Sequence, residues 1–215
     1  MFAQLRRDID TILQRDPAAR SWLEVLLCYA GLRAISAHRR AHKHYLKGHY
    51  LRARMISQRV RHKTGIEIHP GAVIGQGFFI DHGDGVVIGE TTVIGEDVTL
   101  YQGVTLGGTG KDTGKRHPNI GNGVTIGAGA KVLGPITIGD HSKVGAGSIV
   151  LKDVPPNCTV VGNPGRVVEK KKPAVKNEVD LDQINLPDPM LEKINSILER
   201  LGAMEQKLEK MNTEA

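Results

Sequence analysis

From Ile66 onward, aliphatic residues recur every six positions: Ile68, Ile74 and Ile80, then Ile88, Ile94, Leu100 and Leu106, then Ile120, Ile126, Val132, Ile138, Val144 and Val150. Neither the period of two of a half-buried strand nor the 3.6 of a helix fits that spacing. Glycine often follows the aliphatic position, as in Ile74-Gly75 and Ile138-Gly139, and the fourth place after it is small or β-branched, as at Ala72, Val98, Ala130 and Ser148. A short strand plus a turn fits six residues, and stacking such units buries a continuous aliphatic column. The register slips twice. Ile80 to Ile88 spans eight residues, and Leu106 to Ile120 spans fourteen, either two units plus two residues or one unit plus an eight-residue loop. Interruptions of a solenoid are natural places for function, because the repeat itself needs neither. His82 lies in the first and His117 in the second.

Residues 1–62 follow helical spacing instead, with Leu5, Ile9, Ile12 and Leu13 in a first helix broken at Asp16-Pro17. Asp16 reads as the N-cap of a second helix beginning near Ala18, with Trp22, Leu26, Leu27 and Ala30 as its apolar face, and a third, basic helix runs to His62. At the other end Met190, Ile194, Ile197, Leu201, Met204, Leu208 and Met211 alternate spacings of four and three, a heptad pattern. That segment either packs back on its own domain or forms a three-stranded coiled coil. The expected organisation is α+β: a helical domain (1–62), a parallel β-helix (63–168), a polar linker (169–186) and a coiled-coil helix (187–215).

Composition sharpens this picture. Twenty-six glycines supply turns, and with only one Trp, four Tyr and three Phe the interior must be filled by aliphatic residues. The net charge of +6 is local: residues 31–63 hold ten Lys/Arg and no acid. The plainest reading of that block is a solvated helical face that helps attract an anionic ligand; its aromatic content beyond Tyr45 and Tyr50 is too low for nucleic-acid stacking. No apolar run approaches the roughly eighteen residues of a membrane span. The N-terminus lacks a signal-peptide core, so a cytoplasmic protein is expected. Cys28 and Cys158, 130 residues apart, read as buried thiols. Gly110-Lys111 and Gly114-Lys115 each fail the phosphate-loop pattern, and the Gly-x-Gly pairs never complete a dinucleotide fingerprint. A three-histidine zinc site fails because Asn122 stands where its third ligand would be, so no metal is expected.

The hexapeptide pattern resembles the hexapeptide-repeat transferases, and the resemblance supplies a left-handed winding. A more specific set, Glu67-Ile68-His69-Pro70, Asp81-His82, Val87-Ile88-Gly89-Glu90-Thr91, Gln102 to Lys111, Arg116-His117-Pro118 and Gly127-Ala128-Gly129-Ala130-Lys131, together with Arg15-Asp16-Pro17-Ala18, is similar to the serine acetyltransferases. That likeness implies acetyl transfer from acetyl-CoA, a co-substrate and not a tightly bound cofactor, to the hydroxyl of L-serine. It implies His82 as the base and Glu67 as the carboxylate orienting it; where the family usually has aspartate, Glu67 is one methylene longer. Arg116 would take the substrate carboxylate, Asp16 and Asp81 its ammonium, His117 would complete the pocket, and His117 or a loop amide would take the oxyanion. Gly108, Thr109, Ala128 and Ala146 would lie along acetyl-CoA, with Lys143 and Arg166 near its phosphates or adenine. The resemblance further implies a homotrimer or a dimer of trimers with sites between subunits, and inhibition by L-cysteine. The family's association with O-acetylserine sulfhydrylase uses a C-terminal isoleucine, and the ending Asn212-Thr213-Glu214-Ala215 argues against a stable complex. The alternative activity is O-acetylation of a sugar or xenobiotic hydroxyl, which would keep His82 without needing Asp16, Asp81 and Arg116; a nucleic-acid-binding scaffold is the non-enzymatic alternative.

Overall fold

A computed structural model describes residues 2–110, 113–169 and 188–213. The hexapeptide units wind into a parallel β-helix with three faces. Sheet I stacks the strands Glu67–Ile68, Val87–Ile88, Thr105–Gly107, Lys131–Leu133 and Ile149–Val150; sheet II stacks Val73–Ile74, Val93–Ile94, Asn119–Ile120 and Thr137–Ile138. Sheet III stacks Phe79–Ile80, Thr99–Leu100, Thr125–Ile126, Lys143–Val144 and Cys158–Val161, closed by the antiparallel strand Arg166–Glu169.

All thirteen aliphatic positions fall on three inward columns. Ile68, Ile88, Leu106, Val132 and Val150 are successive partners in sheet I. Ile74, Ile94, Ile120 and Ile138 align in sheet II, and Ile80, Leu100, Ile126 and Val144 in sheet III, with Val160 completing the column. Each fully buried Ile, Leu or Val adds roughly 1.5–3 kcal/mol relative to exposure. The register also decides the second interruption: Leu106 in sheet I and Ile120 in sheet II are neighbours along one coil, so the segment is one unit plus an eight-residue loop.

Four helices precede the coils: α1 (Phe2–Arg15), α2 (Trp22–Cys28), α3 (Ala30–Leu46) and α4 (Tyr50–Thr64). The expected helix from Ala18 capped by Asp16 does not form. Ser21 caps α2 by accepting from the Glu24 amide at 3.2 Å, while Glu24 accepts from the Arg20 amide at 3.0 Å, a nearly reciprocal box that Ser21 and Glu24 signal in the sequence. The expected apolar face of α2 holds in part: Leu26 and Ala30 pack against the core. Val25 is the buried residue, while Trp22 and Leu27 are 48% and 59% exposed. The basic segment is two helices because Gly48, at φ 77°, turns the chain between α3 and α4. Cys158 is buried as expected, but Cys28 is exposed.

Long-range polar contacts fix the helices on the β-helix. Arg15, at the end of α1, reaches the Gly77 carbonyl (3.2 Å), Thr99 Oγ1 (3.1 Å) and Asp97 Oδ1 (3.1 Å). Arg39 of α3 forms a two-pronged ion pair with the buried Asp8 of α1. Gly31 lets α3 approach sheet III, since a Cβ there would lie 2.4 Å from the Ile80 carbonyl oxygen. These contacts place the α1–α2 connection, and Asp16 with it, beside the end of the Phe79–Ile80 strand. At the far end of the chain a fifth helix, α5 (Pro189–Thr213), carries the heptad residues; Ile194, Ile197, Leu201 and Met204 are exposed on it. The expected linker of residues 169–186 lies outside the described residues apart from Glu169, which ends the last strand of sheet III.

Candidate active site

The functional side chains gather on two of the three edges of the β-helix. The III/I edge, where the chain turns from sheet III into sheet I, carries residues 81–86, 101–104, 127–130 and 145–148 in successive coils. The I/II edge carries residues 69–72 and 89–92 and the loop 108–118.

At the III/I edge the first interruption puts four residues between Ile80 and Gly85, where a regular coil has two between Leu100 and Gly103. His82 occupies that added turn at φ 56°, a left-handed conformation uncommon for a residue with a Cβ. Asp81 precedes it, and Asp16 and Tyr29 arrive from the helices. The Tyr29 hydroxyl donates to Asp16 Oδ2 at 2.5 Å, and the Ala18 amide donates to Oδ1 at 2.8 Å, so Asp16 closes an Asx turn instead of capping a helix. Burial pushes the Asp81 carboxyl up, and the nearby Asp16 pushes it the same way against the opposing pull of His82. Tyr29 and Tyr101 are raised by burial and then by these carboxylates. Two carboxylates that disfavour each other's charge form a receptor for a cation.

The same edge runs on past Ala128 and Ala146. Gly103 N bonds to Asp84 O, Gly129 N to Gln102 O and Gly147 N to Ala128 O, each at 2.8 Å, stacking the turns in line. Among the backbone hydrogen bonds of the described residues, the Ala128 and Ala146 amides donate none, so two N–H groups point to no partner along an open edge.

The I/II edge is built differently. The Glu90 carboxylate accepts from Arg116 Nη2 and from the Tyr45 hydroxyl of α3, both at 3.0 Å. These bonds hold Glu90 below the usual carboxylate range, Tyr45 contributing most. Thr91 Oγ1 accepts from the amides of Arg116 and His117, each at 3.1 Å, and Lys115 Nζ donates to the Thr91 carbonyl at 2.6 Å. His117 is buried in the protomer, and its ring fits because residue 89 is glycine: a Cβ there would overlap the imidazole at 1.9 Å. The Thr91 amide donates to His117 Nδ1 at 3.2 Å, which makes Nδ1 the acceptor and leaves the proton of the neutral ring on Nε2. Burial, then Arg116, keeps this imidazole neutral at pH 7. Burial does the same for His69, whose ring edge meets Tyr45 at 5.8 Å between centroids.

The structure therefore brings Asp16, Asp81, His82, Ala128 and Ala146 to one edge, and Arg116, His117, Gly108 and Thr109 to another. Glu67 stands on the outer face of sheet I, one coil from His82, and its carboxylate meets Arg61 Nε at 3.2 Å rather than the imidazole. Lys143 is 4% exposed on the outer face of sheet III, between Thr125 and Thr159, so it is off the open edge. Arg166 is exposed, with Nη1 3.0 Å from Met190 Sδ of α5. Sequence reasoning did not reach Tyr29 and gave Tyr45 and Lys115 no part in the site; Glu90 and Thr91 sat within a quoted motif without a role.

Residues 117–152 match the bacterial transferase hexapeptide (six repeats) family. Over 215 aligned residues, 98% of both chains, the sequence is 56% identical to the serine acetyltransferase of Bacillus subtilis. Among solved structures, it superposes on the Brucella abortus serine acetyltransferase in complex with coenzyme A with a TM-score of 0.77 and 46% identity, covering 80% of this chain and 68% of that one. A serine acetyltransferase in complex with cysteine gives a TM-score of 0.82 at 42% identity, covering 86% of this chain and 71% of that one.

Proposed function

The chain belongs to the serine acetyltransferase family, a family of acetyl-CoA-dependent acyltransferases, and from that premise we propose that it carries acetyl from acetyl-CoA to the L-serine hydroxyl, giving O-acetyl-L-serine and CoA. The observation that carries the acceptor class is the charge layout: a pair of acids at one edge for an ammonium, and an arginine at the other for a carboxylate. A sugar or xenobiotic acceptor needs neither.

His82 takes the serine hydroxyl proton as the oxygen attacks the thioester carbonyl. The C–S bond breaks when the tetrahedral adduct collapses, and the imidazolium returns its proton to the departing thiolate. Glu67 orients the imidazole by exchanging Arg61 for it. The Nε2–H of His117 is the ring donor left for the oxyanion or the substrate carboxylate. Acetyl-CoA lies along the III/I edge of the left-handed coil, its pantetheine carbonyls accepting from the Ala128 and Ala146 amides as an added strand would.

Both halves of this pocket cannot come from one chain. The two edges are separated by one face of the prism, on the order of 15–20 Å for a six-residue unit. The ammonium and carboxylate of serine lie only about 3 Å apart. We therefore place the site between subunits of a trimer, the III/I edge of one copy facing the I/II edge of the next, with the exposed heptad face of α5 buried in a three-stranded coiled coil. L-Cysteine, nearly isosteric with L-serine, fits the same charges and inhibits competitively. The reaction belongs in the cytoplasm; among the described residues no helix is long and apolar enough to cross a membrane. A CoA-release assay comparing L-serine with galactoside acceptors tests the proposal: serine alone should support turnover, and turnover with the sugar but not serine would overturn it.

A further inference from the structure

The helical segment carries a feature that no step of acetyl transfer uses. Between α3 and α4 runs a cleft of about 670 Å³ whose walls present Arg40, Lys43, Lys47, Arg52 and Arg59. None of these five side chains has an ion pair or hydrogen bond among the described residues, whereas Arg39 and Arg61 of the same basic block are paired with Asp8 and Glu67. Among the described residues no acidic one lines the cleft, and residues 31–63 contain none. The remaining lining is apolar, from Met55, Ile56 and Val60, with His44, whose buried Nδ1 has no hydrogen-bond partner.

The cleft also faces away from the reaction. Ser57 of α4 points to the β-helix, donating to the Ile68 carbonyl at 2.7 Å, and Ala53 is buried; Arg52, Met55 and Arg59 lie on the opposite side of that helix. Five uncompensated cations converging on one concavity raise the local concentration of anions. The volume falls within the range of small-molecule sites, about 300–1,000 Å³. Three arginine forks and two lysines suit clustered phosphates. Among the described residues the lining holds no Phe, Tyr or Trp, so apart from the single His44 ring it offers no platform on which successive bases of a nucleic acid could stack.

We propose that this cleft is a second binding site, for a triphosphate chain, free or carried by a nucleoside whose base lies on Met55 and Ile56. The full-length protein is titrated calorimetrically with ATP and with inorganic tripolyphosphate near 0.1 M salt, a double variant separating binding in this cleft from binding at the acetyl-CoA edge. At least one should bind saturably at one site per chain with a Kd at or below about 1 mM. Tighter binding of ATP identifies the nucleotide as the source, and equal or tighter binding of tripolyphosphate identifies the free anion. The double variant Lys43→Gln/Arg52→Gln should bind at least about tenfold more weakly, yet turn over serine at the wild-type rate, which also verifies its fold. Absence of saturable binding by either probe, equal binding by the double variant, or retention of long DNA or RNA alone would overturn the assignment.

Discussion

The III/I and I/II edges are made by the same repeat and flank the same sheet, yet they are interrupted on different scales and acquire opposite chemistry. Two added residues at the III/I edge produce a single left-handed turn that projects His82 beside two acids, and the rest of that edge stays regular and open. Eight added residues at the I/II edge return a loop against the coil; the Arg116 guanidinium donates to Glu90, which a tyrosine from α3 also holds, and the Arg116 amide is fixed by Thr91. The short interruption yields a reactive group with few ties. The long one yields a rigid receptor whose members fix one another. A solenoid can thus separate reactivity from recognition by placing them on different edges, provided that a second copy brings the edges together.

The sharpest way to break the contrast is at its reactive end. His82→Ala should lower kcat by about 10²- to 10⁴-fold with little change in either KM, because the base acts only as the oxygen attacks; a loss below tenfold would remove His82 from that role. Next comes the receptor. Arg116→Ala should lower kcat/KM for serine by on the order of 100-fold while leaving the acetyl-CoA KM near wild type, and Arg116→Lys should recover only part of it, since an ammonium lacks the planar fork. Equal damage to both substrates' KM would show that the loop does not separate the two functions.

Acid should weaken the III/I edge before the I/II edge. Asp81 is raised, so it loses its charge earlier on acidification than an ordinary aspartate. His117 is lowered, so it stays neutral until well below the usual histidine range, where protonation of Nδ1 abolishes the bond from the Thr91 amide. Serine KM should therefore start to climb on acidification at a higher pH than an ordinary aspartate would set, with the His117 contribution following only at lower pH. In Asp81→Asn it should start high and change less with pH, and a wild-type KM that stays flat until the ordinary aspartate range would contradict the Asp81 shift. The smallest effect tests the tie from α3 to the receptor. Tyr45→Phe removes one bond to Glu90, worth about 1 kcal/mol, and should raise serine KM about fivefold with kcat unchanged.

Both interruptions and thirteen positions of the aliphatic columns were legible in the sequence, because a six-residue period is local and survives in any single coil; Val160 was the one missed. The residues that tie the edges were not, because their partners arrive through tertiary structure. Tyr45 meets Glu90 across 45 residues, and Arg15 reaches Asp97 across 82. Asp16 illustrates the limit: its place before proline fits a cap, but the tyrosine hydroxyl brought by the next helix turns its carboxylate toward the edge. The start of α2 was legible after all, in Ser21 and Glu24, and was overridden by the more familiar Asp-Pro signal.

The claim that the reaction site is shared between copies is tested most directly by co-expressing equal amounts of the His82→Ala and Arg116→Ala chains and purifying mixed oligomers through two different tags. Each variant alone should be nearly inactive. In every mixed trimer, two chains of one kind and one of the other, one of the three sites joins an intact III/I edge of one chain to an intact I/II edge of its neighbour, so the purified mixture should regain about a third of wild-type serine acetylation. Mixed oligomers no more active than the two parents would place both halves of the site on one chain and contradict the account.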